Sequence, residues 1–300
     1  MKARRAGGRR TGGVVWTIGV ALLWVIGCAA APREVPLCPP SAASAGIEAA
    51  MLDPELWLRV LAPGFDLRGD PTAPARACNG EVIAVNEPLG GAASDRAPPR
   101  RSPRRALDLA DLVIVAPSPT ELLVWLQIDH FDDGEALGPV ALLSRTPGQV
   151  VVVALGSLRA PGRGSSLTVV RSGEARLLVV EGARCVAEPE GCAREAQIFA
   201  IEGTRLRALT LRLPSAGEAT ARIVMSRAES QPTRDGSLEG ALDRHLVVSE
   251  RGIEVRELEE VRACRRGAAG LCPVLMRRSG RCAIEVDEAG ELRCVAISGE

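Results

Sequence analysis

A mainly β fold is predicted: an antiparallel sandwich or barrel-like sheet, stapled by disulfides, with a short helical segment towards the N-terminus. Three observations carry the prediction. Short apolar runs punctuated by glycine recur along most of the chain from Leu107 onward. No helical period persists beyond that residue, Leu238–Asp243 being the one stretch that offers a helical turn. Nine cysteines are present, and setting aside Cys28 leaves an even number. Regularly spaced strands with glycine turns are the pattern of sandwiches and barrels.

The elements follow in chain order. Between Gly46 and Leu61 the apolar residues suffice for one or two short helical turns, broken by Pro54. Residues 62–80 read as irregular, with Pro63, Gly64, Gly69, Pro71 and Pro74. Residues 88–105 combine four prolines with five arginines and form the clearest flexible loop, because so few apolar side chains cannot build a core. Leu122–Ile128 is rich in strand formers, and Val150–Leu155 is so uniformly apolar that burial on both faces is expected. Leu167–Val170 and Arg176–Glu181 flank Ser172-Gly173, a hairpin signal. Leu209, Leu211 and Leu213 alternate with polar residues, and Ile223–Met225 follows. Leu246–Ser249 and Ile253–Leu258 flank a second turn at Glu250-Arg251-Gly252.

The last hairpin pairs Cys282–Asp287 with Glu291–Ile297. Centring its turn on Glu288 sets Ile284 opposite Leu292 and Cys282 opposite Cys294. Opposed side chains have β-carbons about 4.5–5.5 Å apart, close to disulfide reach. Sequence proximity pairs the other cysteines as Cys38–Cys78, Cys185–Cys192 and Cys264–Cys272. The rival use of thiols is zinc, which favours closely spaced pairs such as C-x2-C. The tightest spacing here is Cys185 to Cys192, so no metal site is assigned.

The first 27 residues have a different character. Lys2, Arg4, Arg5, Arg9 and Arg10 precede a mostly apolar run from Val14 to Ile26, and no acid interrupts them. A basic start, a short apolar run and a small-residue cut site define a secretory signal. The run falls short of the roughly 20 residues of a membrane span, the alternative being an uncleaved anchor. Gly12 and Gly13 follow Arg9-Arg10 where twin-arginine export wants apolar residues, which favours the general secretory route. Val25-Ile26-Gly27-Cys28 resembles the lipobox of bacterial prolipoproteins. The resemblance covers the N-terminus only. It implies that Cys28 is lipidated and becomes the first mature residue, with cleavage after Gly27. It also implies attachment to a membrane by acyl chains, and Ala29 in place of Asp implies the outer membrane. The organisation expected is a signal over 1–27, a proline-rich tether over 28–45 and a β-rich envelope domain over 46–300, with the helical segment near the mature N-terminus.

Charge and composition narrow the chemistry. The chain balances 37 basic against 37 acidic residues; the signal holds five of the former, leaving 32 against 37. A mildly acidic chain is unsuited to nucleic acid, which demands a basic surface. Lys2 is the only lysine, so the mature chain has none. His130 and His245 are the only histidines, and neither lies near a Gly-x-Ser-x-Gly elbow. No phosphate-binding loop appears, so no cofactor is assigned. Asp129-His130-Phe131-Asp132-Asp133-Gly134-Glu135 is the densest polar cluster. As a calcium loop it fails at its third and twelfth positions, Phe131 and Val140, and Asp-Asp-Gly reads as a β-turn. No catalytic residue is assigned. The expected function is a membrane-anchored, non-catalytic binding or structural module of the envelope, held by its N-terminal lipid and facing another envelope protein. The alternatives are an envelope-polymer hydrolase using Asp and Glu, marked by a cleft with facing carboxylates, and a β-barrel carrier of an apolar ligand, marked by a large apolar cavity.

Overall fold

The computed structural model describes residues 52–69, 75–83, 100–146, 149–185, 192–213, 219–249, 252–265, 272–287 and 291–297. The signal, the tether, Cys28 and Cys38 lie outside them. The described chain is mainly β, with one α-helix, α1, over Pro54–Leu61. Pro54 starts this helix instead of breaking it. A first-turn proline loses nothing, because its missing N–H would have no helical partner there. Asp53 caps the end, its Oδ1 accepting from the N–H groups of Glu55 and Leu56. Leu238–Asp243 belongs to a strand and forms no helical turn.

Two short strands, β1 (Ala75–Arg76) and β2 (Val82–Ile83), form a separate ribbon. The other 16 strands form one hydrogen-bonded sheet that is not closed. Its first part comprises β3 (Leu112–Ser118), β4 (Glu121–Leu126), β5 (Asp129–His130), β6 (Glu135–Thr146) and β7 (Gln149–Pro161). The second comprises β8 (Ser166–Ser172), β9 (Ala175–Cys185), β10 (Cys192–Glu202) and β11 (Arg205–Leu209). Strands β12 (Leu211–Arg212), β13 (Ala219–Thr220), β14 (Ile223–Thr233), β15 (Gly236–Ser249), β16 (Gly252–Arg265), β17 (Val274–Val286) and β18 (Leu292–Ala296) complete it.

The sheet folds back on itself into sandwich-like layers, and the period-two alternation of strand side chains assigns each residue to one of them. On β4, Leu122, Val124 and Leu126 face a cluster that includes Trp57, Leu58 and Leu61 of α1. Leu123 and Trp125 face the opposite way, against Leu178, Val180 and Phe199 of β9 and β10. On β9, Leu177 and Val179 face a third cluster with Ile253, Val255, Ile284 and Leu292. Strands in the middle of such a stack are covered on both sides, which is why Leu122–Leu126 carries no polar residue. The Val150–Leu155 run does not follow the expectation of burial on both faces. Val151 and Val153 are each 37% exposed, while Val152, Ala154 and Leu155 are buried. Apolar composition alone cannot say whether a second layer lies over a strand.

The disulfides fall where hairpins bring cysteines together. Cys264 is bonded to Cys272 and Cys282 to Cys294. Cys185 and Cys192 are register partners at the end of the β9–β10 hairpin where the chain passes from one strand to the other. Cys78 is also disulfide-bonded. The register of the last hairpin differs from the expected one. Cys282 stands opposite Ala296, and Ile284 stands opposite Cys294. The turn is closed by Asp287 and Glu291, the Asp287 N–H donating to the Glu291 carbonyl at 2.8 Å. A shift of two residues preserves the face, so the two cysteines become diagonal neighbours with Cα atoms 5.3 Å apart. Alkylation of the denatured, unreduced mature protein is expected to label none of the eight cysteines beyond Cys28. Labelling at Cys264 or Cys272 would break the framework.

Candidate functional site

The polar cluster singled out in the sequence lines a pocket of about 370 Å³. Its centre is the tight turn from β5 into β6. Gly134 has φ +83°, a left-handed conformation that side chains resist. The turn closes through Gly134 N–H to Phe131 O at 3.1 Å, while Asp133 Oδ1 accepts from Glu135 N–H at 3.1 Å. These are turn bonds, as the Asp-Asp-Gly sequence predicts.

The chain that precedes β3 runs alongside this turn. Residues 88–99 of the loop expected over 88–105 lie outside the described residues. Residues 100–105 are docked. Arg100 N–H donates to Asp132 Oδ1 at 2.9 Å, and Ser102 N–H donates to the His130 carbonyl at 2.7 Å. Arg104 pairs with Asp129 at 2.9 Å, both side chains being buried. Its guanidinium also lies 4.7 Å from the centre of the Phe65 ring. Arg101 and Arg104, part of what looks like a solvated run in sequence, are thus paired with the β5 carboxylate Asp129.

Two carboxylates form the pocket's floor, Asp111 and Glu135, each only 1% exposed. Arg105 forks onto Asp111, its two terminal nitrogens 2.9 and 2.7 Å from Oδ2 and Oδ1. The Asp108 N–H adds a third bond at 2.8 Å. Hydrogen bonding to Asp111 is the chief cause that raises the Arg105 pKa above its ordinary value. His130 Nε2 lies 2.9 Å from Asp111 Oδ1, although the contact lacks hydrogen-bond geometry. Glu135 is held by Arg159, whose Nε is 2.5 Å from Oε2, and by Arg222, which bonds both oxygens. Burial by itself would raise the Glu135 pKa. The hydrogen bonds and charges of Arg222 and Arg159 outweigh it and hold the carboxyl below the ordinary range. The network extends to Glu195, 3.4 Å from Arg222. Arg159 also lies 4.0 Å from the centre of the Phe131 ring.

Chemically, this arrangement pairs its two buried carboxylates with arginine charge. A general acid requires a carboxyl whose pKa is raised towards neutrality, and the arginines drive Glu135 in the opposite direction. A bidentate fork from Arg105 and the Asp108 N–H occupy both oxygens of Asp111. His245 lies outside the pocket, exposed on β15, and pairs with Asp243 at 3.0 Å. The structure does bring Glu239 close to Cys264 and Cys272, their ligand atoms lying within 4.8 Å of one another. With both sulfurs joined in a disulfide, that trio presents a metal with one carboxylate only.

Sequence reading located the turn and missed the arginines that neutralise it. Arg159 and Arg222 lie 24 and 87 residues from Glu135. Nothing local in the sequence joins them. A second, open groove of about 690 Å³ lies where the β8–β9 turn meets β16 and β17, with Glu174, Glu254 and Glu285 along it. Glu254 is already paired there, its pKa lowered to about 2 by hydrogen bonds from Arg281 and Arg256. No protein family, curated protein or solved structure matches the chain.

Proposed function

We propose that this chain is a lipid-anchored envelope module that binds or supports another envelope component and performs no catalysis. The observation that carries the reading is the state of the two buried carboxylates in the pocket at the β5–β6 turn. Asp111 is forked by Arg105, and Glu135 is clamped by Arg159 and Arg222. An active site built on acids needs at least one free to change its protonation. The hydrolase alternative therefore loses the residues it would rely on here. The carrier alternative calls for a large apolar cavity, whereas the buried apolar side chains of the described residues pack against one another in three clusters. No helix among the described residues is long and apolar enough to cross a membrane. Anchorage is read from the lipobox resemblance, with Cys28 carrying the lipid and the outer membrane as its location.

The anchor is tested by replacing Cys28 with Ala in a diderm host. The wild-type chain is expected in the membrane fraction, with an acylated N-terminal Cys28 by mass spectrometry. Cys28→Ala is expected to accumulate unprocessed or to leave the membrane. A native protein with a free, unacylated N-terminus at another residue would overturn the reading.

A further inference from the structure

Strands β14 to β17 continue well beyond the packed core. From Arg227 to Asp243 and from Arg256 to Arg281 no residue is buried among those described. This four-stranded arm is a single layer with solvent on both faces. It has two outer edges. On β14 the edge past Ser226 is interrupted by Pro232, which has no N–H to offer. On β17 the partner β18 stops at the Cys282–Ala296 pair. Among the described residues, no strand pairs with Val274–Gly280 on that side. That stretch contains no proline.

This edge is chemically distinctive. Leu275, 63% exposed, is the most exposed large apolar residue among those described, and its neighbour Val274 is 49% exposed. Leu275 is the extra residue where the β16–β17 register shifts, Val261 facing Met276 and Arg262 facing Val274. The arginines along the edge differ. Arg277 lies 3.8 Å from Glu260. Arg278 is exposed and makes no ion pair among the described residues, although Glu259 is its register partner.

We infer that the β17 edge from Val274 to Gly280 is a strand-addition site for an extended, acidic segment of a partner protein. Unpaired N–H and C=O groups supply the backbone bonds, and alternate side chains supply selectivity. Charge sets the occupant. A second copy of this chain pairing antiparallel in register along Val274–Gly280 would set Arg277 directly opposite its own counterpart, because Arg281 is already bonded to Ile297. Like charges opposed across strands repel. An acidic strand instead meets Arg278 with the opposite charge.

This inference deepens the proposed binding role and rests on it. Its failure would leave membrane anchorage, read separately from Cys28, untouched. The test uses the full mature chain and a fluorescent, end-blocked ten-residue peptide alternating valine and glutamate. Binding is followed by anisotropy. Saturable binding is expected. Strand addition uses one edge of the peptide, so methylating alternate backbone nitrogens in one phase should abolish binding, and methylating them in the other should spare it. Arg278→Glu is expected to weaken binding at least tenfold and to admit the lysine counterpart of the peptide. Absence of binding, equal effects of both methylation phases, or indifference to Arg278→Glu would overturn the inference. So would a concentration-dependent dimer in sedimentation that the unmethylated valine–glutamate peptide fails to compete with at the edge but that buries Val274–Gly280 from hydrogen exchange, since it would assign the edge to a second copy.

Discussion

Gly138→Ala is expected to destabilise the fold by more than about 4 kcal/mol, enough to leave little native protein. Gly138 lies on β6 where its partner changes from β4 to β5. The chain linking those two strands passes directly against it. A β-carbon built there would stand 1.7 Å from the Leu126 carbonyl oxygen and 3.1 Å from the Ile128 nitrogen. Both are backbone atoms, so no rotamer change relieves the clash. Ile128 is itself tied down, its N–H donating to Leu137 O at 2.9 Å. Relief requires β6 to separate from this link, at the centre of two hydrophobic layers. Gly240 on β15 is the control, because a β-carbon there meets nothing within 4 Å. Gly240→Ala should change stability by no more than about 0.5 kcal/mol. Denaturant titration of the oxidised proteins makes the comparison. A wild-type midpoint for Gly138→Ala would show that the link is not rigid.

Glu135→Ala is expected to cost about 3–5 kcal/mol, the range for removing one partner from a buried ion pair. The loss arises less from the missing bonds than from what remains. Arg159 and Arg222 would face each other's charge in a site where only 14% and 17% of their side chains reach water. Glu135→Gln keeps the shape and one acceptor, so it should fall between wild type and Ala. Acid adds a second signature. The folded Glu135 pKa is lowered from the ordinary carboxylate value of about 4.3 that the unfolded chain retains. Between these values the unfolded state binds more protons, so stability falls as pH falls. The contribution is fully present above the unfolded value and is lost through the folded one. Glu202 and Glu254 also have lowered pKa values and contribute to the acid sensitivity of wild type. The difference between wild type and Glu135→Gln isolates Glu135. It should be constant above about pH 5 and shrink below about pH 4. A difference independent of pH would mean that the clamp does not depend on the carboxylate's charge.

Hairpins were legible because their signals are local. The signal at Ser172-Gly173 marks a turn that Gly173 and Glu174 form, and β15 pairs with β16 up to Ser249 and Gly252. Cysteine proximity along the chain gave two observed disulfides, even though the register that sets Cys282 opposite Ala296 differs by two residues from the expected one. Pro54 was misread because its effect depends on where a helix begins, and the cap at Asp53 decides that. The candidate site was half legible. Asp-Asp-Gly announced the turn, but the partners of Asp111, Asp129 and Glu135 come from the docked segment, β7 and the residue before β14.

Sequence alone determined the β class, the turns and the expectation of a lipid on Cys28. Each is encoded within a few neighbouring residues, where steric and hydrogen-bonding preferences act without tertiary help. Tertiary structure decided which strands are covered on two faces and that the sheet does not close. It also decided that Glu135 of the polar pocket is paired with two distant arginines, and that no described strand covers one edge of the arm. Those features depend on contacts between segments tens of residues apart, whose energies come from burial and paired charge and leave no local trace in the chain.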